Sequence, residues 1–431
     1  MINQFTLRIL FFTVAVFCSQ ADAQDAQTNS KDWARWRGPT GNAIAPVGEK
    51  PPTKWSATEN VVWKTKIPGR GHASPIVIGD KIFLSTAEVE EKSQSVVCVD
   101  RSSGELLWQK EVNEGGFPKT IHRNNTHASP TIATDGEHVF AVFNHHGAVH
   151  LTKLDLSGDI VWTKKVGNYQ PTYEFGFGAS PIVHAGKIIV TTESKVDSGI
   201  FAFEIESGDP VWKIKRNGIS SYSTPVIQDV GGKERLLISG GSRVSSYDPK
   251  TAEKDWETPT RWQVSCGTMV WDGDMVFVSG GFPAQQTLAL NAKSGELVWD
   301  NNVKSYEQSL LAVDGYIYAH GNNGVLYCWR ASDGEEMWKK RFSPRKKSPV
   351  SVSPVLANGH IYFTAENGET VVAELNPKEF KEVSRNQLGD YAFATPAFCD
   401  NRIYYRVGDS TTGKDHQWLC LLYTSPSPRD S

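Results

Sequence analysis

One pattern constrains this chain more than any other: a Ser-Pro or Thr-Pro pair, a short apolar run, a turn and a second apolar run, repeated along its whole length. It appears as ASPIVIGDKIFLST from Ala73, ASPTIATDGEHVFAVF from Ala128 and ASPIVHAGKIIVTT from Ala179. It returns as STPVIQDVGGKERLLISG from Ser223, VSPVLANGHIYFTA from Val352 and ATPAFCDNRIYYRV from Ala394. Two copies lack the proline, GTMVWDGDMVFVSG from Gly267 and QSLLAVDGYIYAHG from Gln308. Anchored on Pro75, Pro130, Pro181, Pro225, Met269, Leu310, Pro354 and Pro396, the copies are 41 to 55 residues apart. A period of about 40–45 residues is that of repeat architectures, in which each unit buries its apolar face only against its neighbours.

A second pattern follows the first. VCVDRSSGELLW ends at Trp108, KLDLSGDIVW at Trp162 and AFEIESGDPVW at Trp212. LALNAKSGELVW ends at Trp299 and CWRASDGEEMW at Trp338; in SYDPKTAEKDW, Ala252 replaces the glycine before Trp256. An acidic or amide residue opening a turn, with glycine in the left-handed position, is hairpin chemistry. The four-residue step from Gly or Ala to Trp keeps every indole on one face of the outgoing strand. Each unit therefore reads as strands A and B around the Ser-Pro signature and C and D around the turn-Gly-Trp signature. Four strands per unit, stacked radially, make a blade.

The expected fold is all-β: an eight-bladed β-propeller of four-stranded antiparallel blades, its ring closed by an N-terminal strand. Trp63, Trp108, Trp162, Trp212, Trp256, Trp299 and Trp338 are expected to pack between blades. The eighth unit has strands A, B and C, the last near His416 to Leu419, but no D strand. Asn60 to Lys64 looks like a D strand with nothing before it, and is expected to complete that blade. The seventh D strand is placed at Glu379–Val383, with Phe380 or Val383 in the tryptophan role.

The organisation follows: residues 1–23 a signal peptide, 24–59 a lead segment, 60–419 the propeller, and 420–431 a sequencing-adapter scar. Arg8, the apolar run Ile9–Cys18 and Ala21-Asp22-Ala23 carry the first expectation, and with it a periplasmic or extracellular location. The run is shorter than the roughly 20 residues of a membrane span. Asp32-Trp33-Ala34-Arg35-Trp36-Arg37-Gly38-Pro39 is expected to cap one face of the ring, or to bind a partner. With 45 Lys+Arg against 48 Asp+Glu, charge gives no case for nucleic acid. Cys98, Cys266, Cys328 and Cys399 are expected to be unpaired, and the chain to be a monomer.

The consensus in VCVDRSSGELLW and LALNAKSGELVW resembles that of the pyrroloquinoline-quinone-like repeat propellers over roughly Asn60 to Leu419. The lead WARWRGP is similar to that of exported propellers of this kind from planctomycete-like bacteria. The resemblance implies the fold. For activity it implies two classes: quinoprotein dehydrogenases, and a non-catalytic scaffold of outer-membrane protein assembly. Dehydrogenases of the family carry a vicinal Cys-Cys pair and Ca²⁺ ligands. No two cysteines are adjacent here, and no segment matches the metal ligands. The expectation is a binding or scaffold module with no cofactor; pyrroloquinoline quinone with Ca²⁺ belongs to the alternative, an oxidoreductase.

Ligands of propellers sit near the axis, in the loops that lead into the innermost strands. Those loops hold an unusual density of polar groups, and His72, Arg123, Asn125, His127, Tyr173 and Glu174 are the candidate ligand-binding set. Arg123 would offer a bidentate fork to an anionic or glycan-like ligand, or the face would take a protein partner. The competing reading is that these groups bond only loop backbone and channel water. No catalytic and no metal-ligating residue is assigned. His145, His146 and His150 read as solvated loop histidines, and Arg345-Lys346-Lys347 as a solvated run.

Overall fold

The computed structural model describes residues 32–122, 124–343, 349–409 and 417–423. The expected signal peptide, Arg123, the basic run at 345–347 and residues 424–431 lie outside them. Eight four-stranded antiparallel sheets are arranged as a propeller. Blade one is Ile76–Ile78, Lys81–Glu88, Ser93–Asp100 and Leu106–Glu114; the pattern continues through blade seven, which ends with Glu382–Gln387. The two proline-less units fold as complete blades, five and six. Blade five also carries a two-stranded ribbon, Trp262–Val264 with Phe282–Pro283.

Blade eight joins the two ends of the chain. Val61–Ile67 pairs antiparallel with Gln417–Leu422 as its D strand, Trp63 opposite Leu421 and Thr65 opposite Leu419. The paired strand thus runs beyond the expected boundary at Leu419, with Cys420, Leu421 and Leu422 buried. Strand pairing asks only for extended apolar residues there, and these three supply them.

The indole seats explain the turn-Gly-Trp signature. Trp63 donates from Nε1 to the Arg101 carbonyl of the next blade and lies on Gly104. A Cβ at Gly104, whose φ is +77°, would come within 2.5 Å of the indole, so the turn needs glycine for both conformation and closeness. Trp108, Trp162, Trp256 and Trp299 repeat this on Gly158, Gly208, Gly295 and Gly334. Trp338 donates to the Asn376 carbonyl of blade seven. Trp212 faces Ala252 instead of a glycine, and its Nε1 has no hydrogen-bond partner.

Blade seven departs from expectation. Its turn is lengthened by Asn376, whose side chain accepts from the amides of Lys378 and Glu379, so strand D starts at Glu382 rather than Glu379. Register puts Ser384 opposite Val372, the place that Trp108 holds opposite Cys98 in blade one. Neither Phe380 nor Val383 fills the tryptophan role; Phe380 packs on Trp338 of the preceding blade. The missing indole comes from the lead segment. Trp55 stacks on Tyr362 of strand B at 6.2 Å. In blades one, two, five and six the D-strand Trp stands 5.8–6.2 Å from the matching B-strand ring. Ser384 and Asn386 donate to the Thr53 carbonyl, and Asn386 accepts from the Trp55 amide. The reason is topological: strands C and D of blade eight come from opposite chain ends, so no turn exists there to seat an indole from blade seven.

The rest of the lead segment lies against the inner edges of the A strands. Trp33 bridges Val77 of blade one and Ile44 bridges Leu356 of blade seven. Asn42 donates to the Trp271 carbonyl of blade five. Arg37, 1% exposed, donates to the carbonyls of Gly41, Asn42 and Leu310; burial pulls its guanidinium down to about 9, still protonated at neutral pH. The segment therefore sits against the A strands of blades one, five, six and seven, as a plug at the axis. Its many backbone and side-chain bonds supply the partners that free A-strand edges would otherwise lack.

Candidate ligand-binding site

The Ser/Thr of the Ser-Pro signature builds a belt around the axis. Backbone amides donate to the hydroxyl of the next blade: Ser74 to Thr131, Thr131 to Ser180, Ser180 to Thr224, Thr268 to Ser309, Ser309 to Ser353 and Ser353 to Thr395. In blade two the belt residue is Thr131, not Ser129. Ala133 there pairs with Phe140 as Ile76 pairs with Phe83 in blade one, so blade two carries two extra residues before strand A. The conventional belt bond is missing at two junctions. At blade five the Thr268 hydroxyl instead accepts from Trp36 Nε1 at 2.9 Å. Between blades eight and one, the buried Ser74 hydroxyl has no hydrogen-bond partner.

Above the belt lies a cavity of 230 Å³, with Trp36 of the plug as its floor. Phe175, Tyr222, Tyr306 and Phe393 line it together with His72, His122 and Asn125. His72 stacks on Phe393 at 4.5 Å, and its Nε2 is 3.0 Å from the Tyr391 hydroxyl. Asn125 donates to the Phe175 carbonyl and accepts from the Ser129 hydroxyl. Burial pushes the Tyr222 and Tyr306 phenols up, and likewise the Cys266 thiol in the wall, so all three are protonated at neutral pH.

Two carboxylates face this space. Glu307, on the loop before strand A of blade six, accepts from Asn322. Glu366, in the B–C turn of blade seven, accepts from the Ser351 hydroxyl at 2.7 Å. Burial raises the Glu366 pKa, the Ser351 hydrogen bond opposes that, and Glu307 adds to the rise. Among the described lining residues there is no lysine or arginine.

Of the candidate set, the structure brings His72 and Asn125 into the cavity wall. His127 is turned into a neighbouring crevice, against Phe117 at 4.2 Å. Burial there, and then the charge of Arg70, lowers its pKa to about 4. Tyr173 packs edge-on against Phe282 of the blade-five ribbon. Glu174 is exposed, and its carbonyl accepts from the His122 amide. Arg123, on which the expected anionic or glycan-like ligand rested, lies outside the described residues, and the described lining carries two carboxylates. Trp36, Glu366, Phe393 and the Ser/Thr belt were not in the set. His145 is not a solvated loop histidine either. It is half-buried, packs 4.2 Å from His150, and neither ring nitrogen has a hydrogen-bond partner. Among the described residues no group of His, Cys, Asp and Glu is arranged to hold a metal ion, and the described cysteines are free thiols.

A family model described as outer membrane protein assembly factor BamB matches residues 92–340 and 284–383. The chain belongs to this family. Within it, the BamB of Burkholderia pseudomallei is 22% identical over 299 residues, 66% of this chain and 60% of that protein. The chain therefore spans less than two thirds of that relative's length. Subunit 1 of the methanol dehydrogenase [cytochrome c] of Methylorubrum extorquens is 26% identical over 115 residues, 21% of this chain and 18% of the subunit. Among solved structures, BamB from Moraxella catarrhalis superposes with a TM-score of 0.60 at 16% identity, covering 85% of this chain and 98% of that one. Quinohemoprotein alcohol dehydrogenase from Comamonas testosteroni gives 0.65 at 12% identity, covering 95% and 85%. The BamB-type family thus shares its propeller with quinone enzymes, and fold does not choose between the two.

Proposed function

We propose that this chain is an exported, non-catalytic binding module that receives part of a partner protein, or a small polar ligand, at the mouth of the axial cavity. The observation that carries the reading is the cavity lining. The belt hydroxyls, a cluster of aromatic rings and two carboxylates are held on rigid blades around a space plugged at one end, the form of a small-ligand or anchor-residue site. The family description, an assembly factor, supports a protein partner. The chain's leading residues, with their charge, apolar run and small-residue exit site, support export, and among the described residues no helix is long and apolar enough to cross a membrane.

The second reading, a quinone-dependent oxidoreductase, is favoured by the dehydrogenase neighbours. The residues present do not fit its cofactor. Pyrroloquinoline quinone is a tricarboxylate, and the described lining presents Glu307 and Glu366 with no lysine or arginine, while among the described residues no group of His, Cys, Asp and Glu is arranged to hold the Ca²⁺ that would bridge them to it. Like charges brought together in a partly buried site are costly. The two readings separate on adding the quinone with Ca²⁺ to the purified protein. Unchanged absorbance, an unchanged melting temperature and no dye reduction with alcohols or aldose sugars are expected. Turnover of the dye would transfer the assignment to the oxidoreductase.

A further inference from the structure

Three histidines crowd the B–C turn of blade two. His145 closes strand B, His138–His145, and His150 lies on strand C, Ala148–Asp155. Register sets Phe143 opposite His150 and His145 opposite Ala148, so His145 and His150 share one face of the hairpin. Their rings stand 4.2 Å apart, and His146 is 5.2 Å from His145. Both ring nitrogens of His145 and Nδ1 of His150 are buried without a hydrogen-bond partner. Such a ring is held as neutral imidazole, because a charge placed there has neither water nor an acceptor to meet it. Burial, then His150 and His146, lowers the His145 pKa from 6.5 to about 4. Burial also lowers that of His150; a backbone bond at Ala148 opposes the shift, and Lys165 and His146 add to it. Lys165 stands opposite His150 on strand D. Every charge that acts on the pair is thus that of a cation or of another imidazole.

The turn also seats the chain that enters blade two. Blade one reaches it with backbone: the Gly116 carbonyl accepts from the His146 amide, and the Glu114 carbonyl lies 3.3 Å from His146 Nε2. Gly116, at φ +65°, lies so close on the His146 ring that a Cβ has no room. Phe117 packs on the apolar cluster that holds Phe143. On its other side Phe117 meets His127, on which the charge of Arg70 acts. The stretch 115–122 ends at His122, in the wall of the axial cavity.

We propose that the His145–His150 pair is an acid-sensitive latch on the cavity mouth. Protonation sets a positive charge beside a second imidazole and Lys165 in a half-buried place. The rings turn out to water, the B–C turn lets go of Gly116, and the stretch 115–122 loosens from the mouth. A histidine that titrates lower in the folded protein holds the latch shut above its ordinary value of 6.5 and weakens it as pH falls from there toward about 4. The latch goes beyond the binding reading and stands without it, because its readout is the stretch itself.

Hydrogen exchange of the 115–122 amides, divided at each pH by that of the same unstructured peptide, tests it. Protection in the parent is expected to fall about tenfold or more between pH 7 and pH 4. It is expected to hold in the double variant His145→Phe, His150→Phe, which keeps both rings and titrates neither. The stretch 301–308, which joins blades five and six, should stay protected in both proteins. In the parent the His145 ring resonances should titrate well below 6.5, in step with the loss of protection; this second measurement stands even if the double variant does not fold. Unchanged protection in the parent, an equal loss in the folded double variant, or an ordinary His145 midpoint overturns the latch.

Discussion

Trp55→Ala is expected to lower the stability of the ring by about 3–5 kcal/mol, the range for truncating a buried Trp or Phe. Trp55 is 4% exposed and belongs to the largest apolar cluster, which spans blades seven, eight and one. Its loss opens a cavity beside Tyr362, whose ring in turn packs on Phe398, at the junction where the chain ends meet. Blade eight has no covalent turn between its C and D strands, so strand pairing and apolar packing hold that junction where hairpin turns do elsewhere. Urea unfolding of variant and parent measures the effect, and Trp55→Phe should recover part of it. A loss below about 1 kcal/mol would show that Trp55 does not carry the role of the missing D-strand indole.

Arg216→Ala is the second large expectation. Arg216 and Glu193 form an ion pair at 2.6 Å with both side chains 1% exposed. The remaining guanidinium nitrogens donate to Ser245, Tyr247 and the Gly240 carbonyl. Burial pulls the Arg216 pKa down, but Glu193 and Tyr247 outweigh it and the net direction is upward. Removing the cation strands a carboxylate inside the propeller, which costs about 3–5 kcal/mol. The double variant Arg216→Met with Glu193→Leu removes both charges and should lie much closer to the parent. The burden on Arg216→Ala should also ease as pH falls. A carboxylate buried without its cation has a raised folded-state pKa, so protonation relieves it on the acid side. Equal losses in the single and double variants would contradict this account.

The blades and seven of their indoles were legible because they rest on local chemistry. Hairpin turns, strand alternation and the four-residue step to Trp are all written within a dozen residues, and repetition makes each copy confirm the next. Trp55 and Trp36 were not legible as parts of the scaffold and the site, because the lead segment has no second copy against which to compare it. The candidate site was half legible for a precise reason. His72 and His127 sit in the same string, His-Ala-Ser-Pro, and equivalence by string put both at the axis. The two extra residues before strand A of blade two place Ser129 where blade one has His72, and His127 falls outside the wall. Glu366 comes from a B–C turn of blade seven, and nothing in the loops before strand A signals it. Cavities are assembled across blades, and no local pattern records which distant turn will reach in.

The central claim is that the working surface of this propeller is the mouth of its plugged axial cavity. It is tested most directly by site-directed photocrosslinking in the cells that make the protein. A photoreactive residue in place of exposed His122, at the cavity mouth, should trap a discrete partner protein or a small polar ligand. The same residue in place of Val298, 45% exposed on the outer strand of blade five, should trap nothing. Equal trapping at both positions, or trapping at Val298 alone, would place the function on the rim of the ring and contradict the account.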